Sequence, residues 1–257
     1  YYPNGSLIWS YSGSGGAVYD IEVFDIGSGY NDSVAYIDGS GGKIYILNRG
    51  GTLNCSSSTD LGTFYSLAAG DLDRDGNERE FAAGALGDVY AFNSSCSQLW
   101  QSTNATSVVY EVEIGDINND SYKDEVVLVD NSNLFVINGT NGDVLWYDLT
   151  VETGNGVETV EVKNFNGVGG DDAVVAGNSR VHAYYGGDKR GEQATSWSTL
   201  LSSIGIVEEV RFGNFSGSGV IAAVGSGDYL SVLTASGTEV WGRNLPASTW
   251  NSLAAGD

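Results

Sequence analysis

The segment Tyr65-Ser-Leu-Ala-Ala-Gly-Asp71-Leu-Asp-Arg-Asp-Gly-Asn-Glu-Arg-Glu80 decides the fold of this 257-residue chain, because its plan returns along the whole sequence. In each copy an alternating apolar strand runs into an Asp or an Asn. The six anchors are Asp25, Asp71, Asp116, Asn164, Asn214 and Asp257, and successive anchors lie 43 to 50 residues apart. Repeats of this length are typical of β-propeller blades.

The third repeat shows how one such blade would be built. Its apolar residues alternate with a period of two, which predicts strands rather than helices. The predicted strands are Val109 to Ile114, Glu125 to Val129, Leu134 to Asn138 and Val144 to Tyr147. The last two are joined by Asn138-Gly-Thr-Asn-Gly142, whose residues tolerate a positive φ and favour a hairpin turn. Four antiparallel strands with short connections form one blade.

We therefore predict an all-β chain that forms a single β-propeller domain over residues 1–257, with four-stranded antiparallel blades. Five complete blades are expected at residues 18–54, 64–100, 109–146, 157–197 and 206–241. A split sixth blade would take its outermost strand from residues 4–9 and its innermost strand from residues 248–257. We expect the native polypeptide to continue past Asp257 and supply the missing strands, which gives a ring of six blades, with seven as the alternative.

Charge and hydropathy restrict the partners. The formal charge of −22 and the pI near 4.1 argue against nucleic acid or an anionic membrane surface, which would repel the chain. Cations are the expected ligands. No apolar run reaches the roughly 18 residues that a membrane-spanning helix needs, and the N-terminus lacks a signal-peptide pattern, so we expect the numbered chain to be soluble.

The compartment is predicted from sequons and composition. Eight Asn-x-Ser/Thr sequons predict a secreted glycoprotein, at Asn4, Asn31, Asn54, Asn93, Asn104, Asn119, Asn138 and Asn214. The chain has few Lys residues and no Met, and it is rich in Tyr, Gly, Ser and Thr. This composition resembles that of microbial surface proteins, in particular archaeal ones. We expect an extracellular or cell-surface location.

Cys55 and Cys96 are the only cysteines, and two cysteines in a secreted chain suggest one disulfide. Alignment of Leu53 with Leu99 places them at opposite ends of equivalent strands, about 17 Å apart. A disulfide needs Cα atoms within about 7 Å. Residues 56–63 could fold back and close this gap, so the sequence leaves both the bridged and the free alternative open.

The loops that follow the second and third anchors carry the chemistry. Oxygen-bearing side chains at positions 1, 3 and 5, a turn residue at 6, a carbonyl at 7 and a carboxylate near 9 are what Ca²⁺ needs from a short loop. The predicted ligands are Asp71, Asp73, Asp75, Asn77 and Glu80 in one loop, and Asp116, Asn118, Asp120, Tyr122 and Asp124 in the other. Position 9 of the first loop is Arg79, so Glu80 or Glu78 must supply its closing carboxylate.

Plain Asx turns without metal are the alternative, because Asp and Asn favour turns for local reasons. Three acidic side chains within five residues repel one another unless a cation neutralises them, which favours calcium. The fourth repeat keeps only Asn164, Asn166 and Asp172, with Val168 at position 5, and predicts a weaker site. The remaining loops have replaced most ligands with Gly and Ser.

The unit Gly70-Asp-Leu-Asp-Arg-Asp-Gly-Asn77, followed by an apolar strand, resembles the FG-GAP/VCBS repeats of integrin-type propellers. The resemblance implies a propeller whose loops carry calcium. The endings Gly142-Asp-Val-Leu-Trp146 and Gly237-Thr-Glu-Val-Trp241 look like the blade endings of PQQ-like propellers. Tryptophans at this position could stack on sugars, but one bulky ring per repeat is more typical of packing between blades.

Catalysis is not expected. His182 is the only histidine, and its place in a third strand favours a structural role. The leading hypothesis is a non-catalytic extracellular calcium-binding propeller, a structural, adhesive or ligand-binding module whose partners are other cell-surface proteins or glycans, within a larger polypeptide or a homo-oligomer. The alternatives are a secreted carbohydrate-active enzyme, a PQQ-type dehydrogenase, and a glycan-binding protein that uses the connections at residues 186–195 and 147–156.

Overall fold

The computed structural model describes residues 4–13, 16–25, 32–39, 41–57, 61–151, 156–201, 205–215, 218–225, 228–246 and 253. The regular elements of these residues are 21 β-strands. Among them there is no helix that could cross a membrane. The chain is therefore all-β, as its period-two pattern predicts.

The strands form five sheets, which we number as blades in chain order. The first blade contains β1 (Val18–Asp25), β2 (Asp32–Asp38), β3 (Lys43–Leu47) and β4 (Leu53–Ser56). The second contains β5 (Ser66–Gly70), β6 (Glu80–Gly84), β7 (Val89–Phe92) and β8 (Gln98–Ser102). The third contains β9 (Val109–Gly115), β10 (Glu125–Asp130), β11 (Asn133–Asn138) and β12 (Val144–Asp148).

The fourth blade contains β13 (Val157–Lys163), β14 (Asp172–Gly177), β15 (Arg180–Tyr184) and β17 (Trp197–Leu200). The fifth contains β18 (Val207–Phe215), β19 (Ser218–Gly225), β20 (Tyr229–Thr234) and β21 (Glu239–Asn244). A short strand, β16 (Gly191–Glu192), lies between β15 and β17 in the chain but pairs in parallel with β12 of the third blade. All other pairs are antiparallel and join strands that are consecutive in the chain, except that β15 pairs with β17.

The first strands of the blades are neighbours in space. β1 contacts β5, β5 contacts β9, β9 contacts β13, and β13 contacts β18. The blades are thus arranged side by side around their innermost strands. Four-stranded antiparallel sheets in this arrangement form a β-propeller, which confirms the predicted fold class.

The strand β10 shows why the middle strands read as continuous apolar runs. Val126 and Leu128 lie in the core between the second and third blades, whereas Val127 and Val129 lie in the core between the third and fourth. Successive side chains of a strand point to opposite faces. Because each face of an inner blade is covered by its neighbour, both faces must be apolar.

One expectation stays untested and another differs from the structure. Residues 4–9, predicted to hold the turn and the outermost strand of the split blade, form a turn at Asn4 and Gly5; the strand expected to pair with them is not among the described residues, so the sixth blade stays a prediction. Trp100 and Trp146 are buried between blades, as packing residues should be, but Trp241 on the fifth blade is 47% exposed. Of the segment predicted as the innermost strand of the sixth blade, only Leu253 lies within the described residues.

Candidate metal sites in the acidic loops

The loop of the second blade joins β5 to β6 and is built around its first carboxylate. Asp71 accepts hydrogen bonds from the backbone N–H groups of Asp75 (2.9 Å) and Gly76 (2.8 Å). Gly76 has a φ of 84°, which an L side chain rarely adopts and which glycine adopts without strain. Asp75 in turn accepts from the N–H of Asn77 at 2.9 Å. These bonds wind the loop into a tight coil with its carboxylates close together.

Glu80 closes this loop from the first position of β6. It is only 4% exposed, and its Oε2 atom has no hydrogen-bond partner. One oxygen each from Asp71, Asp73 and Glu80 can lie within 4.8 Å of one another. Burial, followed by repulsion from Asp73 and the other loop carboxylates, raises the pKa of Glu80 to about 7.

A buried carboxylate without a donor is costly, and its neighbours here are acidic. A hard cation would remove both penalties, because carboxylate oxygens are the ligands that Ca²⁺ prefers. The residues present therefore fit calcium, with Glu80 rather than Glu78 as the closing carboxylate, since Glu78 is exposed and outside the group. The predicted ligands Asp75 and Asn77 lie in the same coil but outside this group.

The loop of the third blade has the same coil. Asp116 accepts from the N–H groups of Asp120 (2.9 Å) and Ser121 (3.0 Å), as Asp71 does in the second blade. Its acidic group consists of Asp120, Asp124 and Glu125. Glu125 was not among the predicted ligands, although it holds the position of Glu80 at the start of the second strand.

An arginine from the neighbouring blade enters this third-blade group. Arg74 lies 2.8 Å from Asp120 and 3.0 Å from Asp124, and its guanidinium stacks on the ring of Tyr122 at 4.8 Å. Asp124 is fully buried, and its Oδ1 atom still lacks a partner. Burial raises the pKa of Asp124 despite Arg74, and burial together with Asp124 raises the pKa of Glu125 to about 8. The group is thus partly neutralised but retains acceptor capacity for a cation.

Asn118 and Tyr122 lie in this coil, and their predicted roles as metal ligands, through the side-chain oxygen of Asn118 and the backbone carbonyl of Tyr122, stay predictions. The amide nitrogen of Asn118 donates to Glu125 at 2.5 Å and to Asp120 at 3.2 Å, while its oxygen accepts from the N–H of Asp120. Tyr122 is half-exposed, with its ring against Arg74. Asn118 here acts as a hydrogen-bond donor to the carboxylates.

The loop of the fourth blade satisfies its closing carboxylate in another way. Asp172 is fully buried and accepts four hydrogen bonds, from the N–H groups of Phe165, Asn166 and Gly186 and from the Asn166 amide, at 2.8–3.1 Å. The side-chain amide of Asn164 donates a hydrogen bond to the carbonyl of Gly169. Among the described residues, groups of three or more acidic side chains with oxygens within 4.8 Å of one another occur only in the second and third loops.

A further acidic region lies where the first strands meet, and it was not predicted. Arg211 on β18 contacts Glu209 at 2.6 Å, Glu161 at 3.1 Å and Glu111 at 3.8 Å. Its charge also acts on Asp20 and Glu22 of the first blade, so these side chains converge at the centre. The signal was present in the sequence, because acids alternate with apolar residues in Tyr19-Asp-Ile-Glu-Val23 and Tyr110-Glu-Val-Glu-Ile114.

Burial dominates the electrostatics of this central region. It raises the pKa of Glu22 and of Glu111 to about 7, and it raises the pKa of Glu113 well above its ordinary value. Arg211 opposes each of these changes without cancelling them. The centre of the molecule is therefore rich in carboxyl groups that retain a proton more readily than they do in water.

The cysteines and sequons are placed as follows. Cys55 and Cys96 form a disulfide with Cα atoms 6.0 Å apart, between the last strand of the first blade and a turn of the second. The expected separation of about 17 Å was measured along the strand direction within equivalent strands. The two residues instead meet across the junction between the first and second blades. Sequons with an exposed Asn are Asn4, Asn54, Asn104 and Asn119, and those with a half-buried Asn are Asn93 and Asn138. Asn31 lies outside the described residues, as does the side chain of Asn214.

The two connections predicted to bind glycans converge on one side of the fourth blade. Strand β16 in the connection 186–195 pairs with β12, so this connection is attached to the third blade rather than extended into solvent. Thr195 from this connection and Thr150 from the other border a cavity of about 360 Å³. Asp148, Arg180, His182 and Ser198 complete its polar lining, and His182 is buried within β15 as expected of a structural histidine.

Comparison with known proteins supports the fold and goes no further. No family model and no curated protein matches the chain. It is similar to the crystal structure of the WD40 β-propeller domain of Doa1, with a TM-score of 0.65 and 12% identity over 93% of this chain and 72% of that one. For Sqt1 of Saccharomyces cerevisiae the TM-score is 0.65 and the identity 15%, over 83% of this chain and 60% of that one. The resemblance to FG-GAP/VCBS repeats therefore rests on the loop sequences and remains a prediction.

Proposed function

We propose that this chain is a non-catalytic, calcium-stabilised β-propeller that serves as a structural or ligand-binding module at the cell surface, where its partners are other surface proteins or glycans. The observation that carries the metal assignment is the buried Glu80, whose Oε2 has no donor and whose carboxylate groups with those of Asp71 and Asp73. The Cys55–Cys96 disulfide and the exposed sequons support an oxidising, extracellular setting.

Calcium would join the start and the end of each acidic loop. In the second blade it would connect Asp71 and Asp73 to Glu80, which is the first residue of β6. The metal would thereby hold the connection between the first two strands of the blade. Its function is structural, because Glu80, which closes the site, is buried in the blade rather than presented to a substrate.

The test is thermal and calorimetric titration of the folded chain with Ca²⁺ after chelation. A ligand at 100 times its dissociation constant stabilises the folded state by about 2.7 kcal/mol per site, so Tm should rise with calcium. Glu80→Gln should remove one site's share of this gain. In chelator the same variant should be at least as stable as the wild type, because it removes a buried charge that its acidic neighbours repel.

The matched control is Glu78→Gln, which changes an exposed carboxylate of the same loop. It should retain the full calcium response. A wild-type Tm that does not move between calcium and chelator would overturn the metal assignment, and so would equal calcium responses of the wild type and Glu80→Gln.

The cavity beside the fourth blade is the place where a glycan partner fits. Its polar lining combines Arg180 and Ser198 with threonines from both converging connections, and such groups can donate to and accept from sugar hydroxyls. Binding on a glycan array should be lost in Arg180→Ala. Array binding that survives this substitution would exclude the cavity as the glycan site.

A further inference from the structure

The last strand of each blade contacts the final turn of the next blade, at a fixed position in the sequence. A residue with positive φ ends the turn before the strand, and the residue four positions later makes the contact. The turn residues are Gly5, Gly51, Cys96, Gly142 and Gly237, with φ between 59° and 80°. The residues four positions later are Trp9, Cys55, Trp100, Trp146 and Trp241.

At three junctions an indole ring lies on a turn glycine of the following blade. In the fourth blade the contact residue is Trp197, which has no positive-φ residue four positions before it. Trp9 packs on Gly51, Trp100 on Gly142 and Trp197 on Gly237, and a Cβ atom at any of these glycines would lie 2.5 to 2.9 Å from the ring. In each case the indole N–H donates to a carbonyl of the same turn, that of Arg49, Gly139 or Ala235. The glycine is required both by its φ and by the approach of the ring.

Between the first and second blades a disulfide takes the place of the indole contact. Cys55 stands where the other blades have Trp, and Cys96 stands where they have Gly. Cys96 adopts a φ of 59°, so the turn has the same conformation as the glycine turns. The Cys55–Cys96 bond is therefore a covalent version of the same contact.

Between the third and fourth blades the contact is adapted to a longer connection. The ring of Trp146 faces the ammonium group of Lys189 at 5.3 Å, and β16 pairs with the strand that carries Trp146. Each of the four junctions between the five blades therefore has such a contact. Trp9 makes a fifth one, on the side of the first blade that faces away from the second.

Two halves of this pattern have no counterpart among the described residues. Trp241 on the fifth blade is 47% exposed, compared with 8% for Trp100. Gly5 has the required φ of 80°, and a Cβ atom placed on it would meet nothing within 4 Å. The fifth blade thus offers a tryptophan, Trp241, that packs on no described turn. The turn at Gly5 is correspondingly covered by no described tryptophan.

The innermost strands supply an independent observation. Asp20, which lies five residues before the anchor Asp25, accepts a hydrogen bond from the N–H of Leu67, which lies four residues before the anchor Asp71. Glu111 accepts from Val160 in the same register. Glu209 accepts from the N–H of Leu253, again in this register. Leu253 therefore takes the place, beside the fifth blade, that Leu67 takes beside the first.

We propose that Trp241 docks on the turn at Gly5 and that this contact closes a ring of six blade positions. The sixth position contains residues 4–9, with their turn at Asn4 and Gly5, on one side and Leu253 on the other. Its contact to the first blade already exists as Trp9 on Gly51. The contact from the fifth blade is the one that Trp241 makes.

The native disulfide provides the design of the test. The double variant Gly5→Cys with Trp241→Cys places thiols at the positions that Cys55 and Cys96 occupy at the first junction. Mild oxidation of the purified monomer should leave no free thiol, and peptide mapping should find a 5–241 bond beside the native one. A control pair away from the junctions, Gly167→Cys with Trp241→Cys, changes a turn glycine whose Cβ would meet nothing within 4 Å and should keep both new thiols free.

A 5–241 bond found only between two molecules, or no bond while 55–96 stays intact, would overturn the proposal. Because the double variant could fail to fold, the wild type provides a second measurement by hydroxyl-radical footprinting. Trp241 should be modified no faster than Trp197, which is already docked on Gly237. Faster modification of Trp241, by the several-fold expected of a half-exposed indole, would equally exclude the contact.

Discussion

The acidic loops of the second and fourth blades follow the same path between a first and a second strand, yet they treat the buried carboxylate that closes them in opposite ways. Glu80 has an oxygen with no donor and acidic neighbours. Asp172 is surrounded by four N–H donors. The loop of the third blade is intermediate, because Arg74 from the second blade neutralises part of its acidic group.

This difference shows that one loop design can satisfy a buried negative charge by a cation, by a guanidinium or by backbone N–H groups. The fourth loop uses Gly167 and Gly169, with φ values of 73° and 75°, to turn its backbone inward. The second loop has a single such glycine and keeps its side chains acidic. The fourth loop thus has fewer acidic side chains that could bind a metal, and its buried carboxylate, Asp172, instead accepts hydrogen bonds from backbone N–H groups.

The largest effect is expected at Asp172. Asp172→Ala leaves the N–H groups of Phe165, Asn166 and Gly186 without an acceptor, and each buried unsatisfied donor costs about 1–3 kcal/mol. Part of this cost is recovered when water reaches the loop, so we expect unfolding free energy to fall by about 3 kcal/mol. Denaturant unfolding in calcium and in chelator should give the same loss.

The control for this prediction is Asp143→Ala, which removes an exposed carboxylate from a turn and should change stability by less than about 0.5 kcal/mol. A loss at Asp172 that depends on calcium would mean that the fourth loop also binds metal. The comparison between the two loops would then be wrong.

The next effect concerns Arg74, which tests the intermediate loop. Arg74→Gln removes both charge-assisted bonds and leaves Asp124 buried without a cation, which should cost about 2 kcal/mol in chelator. Calcium should restore more stability to this variant than to the wild type, because metal then has no competitor in the third loop. Melting in calcium and chelator measures both effects.

Arg190→Gln is the matched control, since Arg190 makes an ion pair with Asp188 in which both side chains are largely exposed. Such pairs contribute about 0–1 kcal/mol, so this variant should be nearly neutral. Equal calcium gains in the wild type and in Arg74→Gln would show that the arginine and the metal do not share a site.

The sequence could predict the loops because their information is local. Strand alternation, the anchors and the oxygen pattern all lie within about ten residues, which is the span that pattern rules cover. The partners could not be predicted in this way. Arg74 meets Asp124 across 50 positions, and Gly186 reaches Asp172 from a different hairpin. These contacts exist only once the blades are placed side by side.

The cysteines illustrate the same limit. Cys55 and Cys96 follow the rule of a turn residue and a contact four positions later, which the sequence displays in five copies. Reading the rule as a contact requires knowledge that each last strand touches the following blade. Without that knowledge, alignment along a single strand direction separates the two residues, although they are bonded.

The smallest expected effect extends the comparison to the centre of the molecule, where a proton takes the role of the cation. The pKa of Glu111 lies near 7, because burial outweighs both the N–H of Val160 and Arg211. The folded state therefore holds a proton between pH 4.5 and 7 that the unfolded state releases. Stability from this group is present at acidic pH and is lost as pH rises through 7. At pH 4 Glu111→Gln should melt with the wild type, since both side chains are then largely neutral in the folded and in the unfolded state. At pH 8 the variant should melt at least about 2–4 °C higher than the wild type, the shift that about 1 kcal/mol produces in a domain of this size.

Glu192→Gln changes an exposed carboxylate and should show no such pH-dependent difference. A Glu111→Gln variant that is less stable at pH 8 than at pH 4, relative to the wild type, would show that Arg211 rather than a proton balances the central carboxylates.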